Sequence, residues 1–168
     1  MPKIIENLQN RLLQEARTQV EEVGYSAMTI RSVAEKCGVG VGTVYNYFSS
    51  KEALVAGFML EDWQQCMQAV GAAGEQFDHP TPVVRSIYDQ LQLFTAKYSG
   101  LFRDAAAVTG FAGSFGKYHA VLRAQLANPL RRFCTDDFTA QFIAESLLTW
   151  TMAGEEFDTI HRLIVKLF

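Results

Sequence analysis

Apolar residues return every three or four positions along most of this 168-residue chain, and that spacing points to helices almost throughout. Ile5, Leu8, Leu12, Ala16, Val20 and Val23 form a first stripe, and Gly24 stands where a helix can close. Thr29 can cap a second helix over 30–37, with Val33 and Ala34 inward and Gly38 ending it. A short helical stretch is expected over 41–47. Ser49 and Glu52 have capping-box spacing, which predicts a longer helix over 50–72. The stretch GAAGEQFDHPTP (71–82) reads as a linker. Val84, Ile87, Leu91, Phe94 and Tyr98 make another stripe, whereas AAAVTGFAGSFG (105–116) is apolar but too glycine-rich to define helix ends. A helix over 119–133 should kink or end at Pro129. Asp136 or Asp137 can open the next helix, which runs through Trp150 to Gly154, and a last one covers 155–168. No strand-like alternation, internal repeat or low-complexity tail interrupts this pattern. The expected class is all-α.

Composition limits the setting. With 49% hydrophobic residues the chain can bury a proper core, yet no run reaches the roughly 18 apolar residues that span a bilayer. The start, MPKIIENLQNRL, lacks the apolar segment of a signal peptide, so a cytoplasmic protein is expected. Cys37, Cys66 and Cys134 lie far apart without CxxC spacing, which argues against a disulfide framework and a zinc site. They read as small buried hydrophobes in a reducing compartment, with a redox-sensing thiol as the alternative. The net charge is −3, but residues 1–51 hold six basic and five acidic side chains, so the acidic excess lies beyond them. That weak asymmetry lets the amino-terminal part meet a polyanion.

The stretch GVGVGTVYNYF (38–48) admits two chemistries. A phosphate-cradling loop would need a strand before it and either G-x-G-x-x-G or a terminal G-K-[ST], and none of these is present. A helix ending at Gly38, a tight turn and a short second helix instead make a helix-turn-helix, whose second helix enters the DNA major groove. Gly42 would then admit the DNA backbone closely. Thr43 offers a hydroxyl and a methyl, Tyr45, Asn46 and Tyr47 offer hydrogen-bonding tips, and Val44 and Phe48 seat the helix. Arg31 and Lys51 each fall in the first turn of a helix, where a cation opposes the macrodipole unless a phosphate docks there.

The run GYSAMTIRSVAEKCGVGVGTVYNYFSSKEAL (24–54) resembles the DNA-binding domain of the TetR family of bacterial transcriptional regulators. Gly24-Tyr25, Thr29, Val33-Ala34, Gly38-Val39, Gly42-Thr43, Tyr45, Tyr47-Phe48 and Ser50 to Leu54 carry the likeness, over about a third of the chain. It implies a homodimer on a palindromic operator in double-stranded DNA, most naturally a repressor, released when a small effector binds a carboxy-terminal helical domain. By motif position it implies DNA contacts from Arg31, Gly42, Thr43, Tyr45, Tyr47 and Lys51. Two positions depart from the pattern. Gly40 stands where the family often has a capping serine or threonine, and Val41 where a polar residue is common. On this view 1–50 is a three-helix DNA-binding domain, and 51–168 a helical effector-binding and dimerisation domain connected through 51–72.

The likeness says little beyond residue 71, so the residues themselves must speak there. Aromatics and methionines are frequent, Met59 and Phe115 among them, and most should be core. An effector pocket for an apolar or aromatic ligand would draw on Trp63, Met67, Tyr88, Phe94, Phe102, Phe111 and Tyr118. The last two helices could pair with their copies as a four-helix interface, with Phe142, Trp150, Phe157, Ile160 and Ile164 as candidates, or could pack only within their own chain. His79, His119 and His161 show no ligand spacing; His119 could bond an effector or be satisfied internally. No catalytic constellation, cofactor or metal is called for, and no membrane partner. Two readings remain beside the regulator: a DNA-binding protein without an effector, and a helical enzyme or carrier.

Overall fold

The computed structural model describes residues 7–113 and 115–168, with the side chain of Phe115 outside the description. Ile5, placed in the first apolar stripe, also lies outside the described residues, as does the MPKIIE start. Every described element is helical, as the apolar spacing predicts. The elements are α1 Leu8–Val23, α2 Ile30–Lys36, α3 Val41–Tyr45, α4 Lys51–Gln76, α5 Pro80–Lys97, α6 Ser99–Arg103, α7 Ala105–Phe111, α8 Phe115–Ala127, α9 Asp137–Met152 and α10 Phe157–Ile164.

The chain folds into two compact units. The first takes in Met1–Asp62 together with Ser99–Gly113, and the second Trp63–Tyr98 with Ser114–Phe168. Thus α6 and α7, which the sequence reading assigned to the carboxy-terminal domain, fold with the amino-terminal helices. Helix α4 contributes residues to both units.

In the first unit α1 turns Leu8, Leu12, Leu13 and Ala16 inward. It ends at Gly24, whose N–H bonds the Val20 carbonyl. Arg17 joins α1 to α4 through Asp62 at 2.7 Å and Glu61 at 3.3 Å. Gly57 lets α4 approach closely, since a methyl there would stand 2.7 Å from Leu13 Cδ2.

In the second unit Val83, Val84, Ile87, Tyr88 and Leu91 of α5 meet Ala140, Ile143, Ala144, Leu147 and Leu148 of α9 in one core. Pro129 ends α8 as expected, and the chain continues as a 3-10 turn over Asn128–Phe133. Asp136 caps α9 by accepting from the Thr139 amide.

Two local expectations fail. The proposed linker 71–82 is mostly helix, because α4 runs on to Gln76 and α5 already starts at Pro80. Gly74 is not a breaker but a contact: a methyl on it would lie 3.2 Å from Pro129 Cβ. The capping-box spacing also misplaced the start of α4. Ser50, not Ser49, accepts the Ala53 amide, and Glu52 takes a hydrogen bond from Tyr25 at 2.7 Å.

Candidate nucleic-acid interface

Helix α2 begins with a reciprocal cap. The Thr29 side chain accepts the Ser32 amide at 3.0 Å, and the Ser32 hydroxyl bonds back to the Thr29 amide at 3.1 Å. Its inner residues, Val33 and Ala34, are fully buried, while Arg31 stands exposed in the first turn. At the far end Gly38 adopts φ 69°, a left-handed conformation that costs glycine little, and Val39 N–H reaches back to the Ala34 carbonyl. Arg11 of α1 secures the same end by donating to the Cys37 carbonyl at 2.9 Å.

The turn then delivers α3. Gly40 is its N-cap, extended at φ −71° and ψ 149°, and no side chain caps the helix. The missing serine or threonine is therefore a real loss of one cap, though glycine is a tolerated residue there. Val44 is fully buried and Phe48 nearly so, which presses one side of α3 onto the unit's core. Gly42, Tyr45, Asn46 and Tyr47 remain exposed, with Tyr45 at 52%. Thr43 and Val41 are half-buried. A methyl on Gly42 would meet no atom within 4 Å beyond its chain neighbours and its own helix backbone.

Lys51 opens α4, and its Nζ lies 4.1 Å from the centroid of the Tyr25 ring. Tyr25 is 3% exposed. Around this pair the sequence reading missed a whole cluster. The Asp104 carboxylate accepts from Ser26 Oγ at 2.8 and 2.9 Å and caps α7 through the Ala106 and Ala107 amides. The Phe111 ring lies 6.2 Å from that of Tyr25. Gly110 leaves just enough room, because a methyl there would stand 2.9 Å from Glu52 Oε1 and 3.1 Å from the Tyr25 hydroxyl. Burial, the Glu52 hydrogen bond and the neighbouring carboxylates push the Tyr25 phenol well above the usual tyrosine value. Burial lowers the Lys51 ammonium, while Glu52 and Asp104 pull it back up. The hydrogen bond from Tyr25 holds Glu52 below the usual carboxylate range. The residue types of this cluster were visible; its partners are 78 positions apart for Ser26 and Asp104, which no local pattern could reveal.

The first unit thus presents a short outward-facing helix on a fixed turn, with cations at the first turns of α2 and α4. Residues 12–57 match the model of a family described as bacterial regulatory proteins, tetR family. Over 57 residues the chain is 32% identical to the HTH-type transcriptional regulator UidR of Escherichia coli (strain K12), a match covering 34% of this chain and 29% of that protein. The amino-terminal part of the chain is thus similar to the DNA-binding region of TetR-family bacterial regulatory proteins.

Solved structures of TetR-like proteins share the fold along the chain. A transcriptional regulator of Streptomyces coelicolor A3(2) superposes with a TM-score of 0.67 at 13% identity, covering 96% of this chain and 98% of the other. FadR of Thermus thermophilus, a TetR-family repressor solved with lauroyl-CoA, gives 0.67 at 18% identity, covering 95% and 92%. The matched family and the sequence relatives are regulators rather than enzymes. The sequence match spans less than a third of the curated relatives' length.

The second unit holds a candidate small-molecule site. An open groove of about 340 Å³ is lined by Trp63, Gln64, Met67, Gln68 and Gln125. Trp63 Nε1 donates to Gln125 Oε1, and the Phe94 ring packs edge-on 5.5 Å from the indole. Of the expected effector residues, Trp63 and Met67 line the groove and Phe94 backs it. Tyr88 is buried with its hydroxyl donating to the Glu155 carbonyl at 3.0 Å. Tyr118 is 48% exposed on α8. Phe102 and Phe111 belong to the first unit, where Phe111 serves the Tyr25 cluster, so they are no part of this groove. His119 is satisfied by the Glu145 carboxylate at 2.9 and 3.0 Å.

The expected dimer residues divide. Phe142 and Trp150 are about half exposed on α9, and Phe138, at 76%, adds to them. Ile160 and Ile164 instead are 5% and 3% exposed in the chain's own core. Phe157 packs against that core, 5.4 Å from the Tyr88 ring. No helix among the described residues is long and apolar enough to cross a membrane.

Proposed function

We propose that the protein is a dimeric transcriptional regulator that binds double-stranded DNA through α3, with repression as its sense and a small molecule releasing it. The observation that carries this reading is α3 itself. Val44 and Phe48 fix the helix, and everything it presents outward can read a groove: an open Gly42, the Thr43 hydroxyl and methyl, and the tips of Tyr45, Asn46 and Tyr47. Arg31 and Lys51 supply phosphate contacts at two helix starts. Val41, which departs from the polar residue that the family resemblance implies there, offers a hydrophobic contact to a thymine methyl.

A twofold dimer would set its two reading helices about 34 Å apart on a palindromic operator. The exposed α9 face of Phe138, Phe142 and Trp150 supports that assembly. The groove at Trp63 and Met67 supports an effector. Trp63 itself is 3% exposed, so the groove offers mainly the Met67 side chain and the carboxamides of Gln64, Gln68 and Gln125, which favour a neutral ligand that hydrogen-bonds. A solved relative bound to lauroyl-CoA and another, RolR, bound to resorcinol are precedents for ligand binding in proteins of this fold.

A mobility-shift selection on host genomic fragments tests the reading. Salt-sensitive, sequence-selective retention that a mixed-sequence competitor does not abolish is expected. Binding equal to that of the competitor, or none, overturns it.

A further inference from the structure

We propose that Tyr25 is a positioning residue for DNA binding: its ring holds the Lys51 ammonium at the first turn of α4, in place for a phosphate. The inference rests on the DNA-binding reading and assigns a role to a buried residue that does not itself face the duplex.

A lysine at a helix start has an electrostatic problem and an entropic one. The amide end of the helix disfavours a cation until an anion arrives, and the four-carbon stem leaves the charge free to swing away. The Tyr25 ring answers both. Its electron-rich face lies 4.1 Å from Nζ, so the cation has a favourable neighbour before DNA arrives.

The ring is itself fixed. Tyr25 is 3% exposed, its hydroxyl donates to Glu52 at 2.7 Å, and Phe111 packs beside it. The next residue, Ser26, is bound through its amide and hydroxyl to Asp104. Ammonium, ring and helix start are therefore set relative to one another without DNA. A phosphate docking at the first turn of α4 then meets an ordered cation, and less freedom is lost on binding.

The test uses the full chain, a mixed-sequence DNA duplex and fluorescence anisotropy over a range of sodium chloride concentrations, with folding checked by circular dichroism. Lys51→Met should weaken binding and reduce the slope of log K against log salt by about 0.9. Tyr25→Leu should weaken binding about three- to tenfold, the size of an ordering penalty for one long side chain. In the Lys51→Met background Tyr25→Leu should add nothing. Tyr25→Phe, which keeps the ring and its packing on Phe111 but loses the bond to Glu52, should retain most of the binding that Tyr25→Leu loses. Unchanged or tighter binding by Tyr25→Leu overturns the proposal, as does a loss that persists without Lys51.

A second measurement needs no variant: ring current should move the Lys51 ε-methylene protons upfield in the free protein. Ordinary lysine shifts there overturn the positioning role even if Tyr25→Leu fails to fold. Wild-type protein that binds no duplex removes the DNA-binding reading as well, whereas a binding wild type with indifferent Tyr25 variants removes this inference alone.

Discussion

Gly42 stabilises nothing inside the chain. It sits within α3, where glycine is about 1 kcal/mol less favourable than alanine, and a methyl there would meet open space. Gly42→Ala should therefore raise unfolding stability by up to about 1 kcal/mol in urea titration while weakening duplex binding at least tenfold. A loss of stability would mean that the glycine serves the fold, and unchanged binding would place the DNA elsewhere. The exposed place of Gly42 on a short helix was legible in sequence because the spacing around it is local. The start of α4 was not: Ser49 and Ser50 are both credible caps, and which one accepts the Ala53 amide depends on how Phe48 is buried before them. Glu52 was read as a capping partner because its true partner, Tyr25, is 27 residues away.

Among the elements, the segment carrying α6 and α7 was the least readable. Its glycines blurred the helix ends, and its place in the first unit depends on long-range bonds from Asp104. Hydrogen bonds from the Ser26 side chain, followed by the Ala107 amide, hold the Asp104 carboxyl below the usual aspartate value. A carboxyl depressed by folding contributes stability above its unfolded pKa, and loses it as pH falls through the lower folded value. The anchoring of α7 should thus be constant at neutral pH and fail only below about pH 3.9, the ordinary aspartate value. Hydrogen exchange can check this. Asp104→Ala should speed exchange at the Ser26, Ala106 and Ala107 amides at neutral pH, with the Val33 and Ala34 amides unchanged. The linker expected over 71–82 failed for a related reason. Gly74 looked like a breaker, but the approach of Pro129 gives it a packing role that overrides its poor helix propensity.

Across the whole molecule, the apolar residues of the last two helices divide between core and surface, and sequence could not separate them because helical spacing alone does not say which face is buried. Ile160 and Ile164 fill the core, whereas Phe142 and Trp150 face outward. Phe142→Lys should convert the proposed dimer to a folded monomer in sedimentation velocity, with its helical spectrum retained. Ile160→Ala should instead cost about 2–4 kcal/mol of stability, as core truncations do. A Phe142→Lys protein that stays dimeric would move the assembly to another face. The five-residue length of α3 carries a final consequence. Isolated helices this short do not persist in water, so the reading surface is a property of the folded unit and of no excerpt from it. A synthetic peptide copying GVGVGTVYNYF would keep every candidate base-reading side chain and lose the shape that aims them. The proposed specificity resides in scaffolding, and grafting it onto another protein would mean transplanting the supporting helices along with the motif.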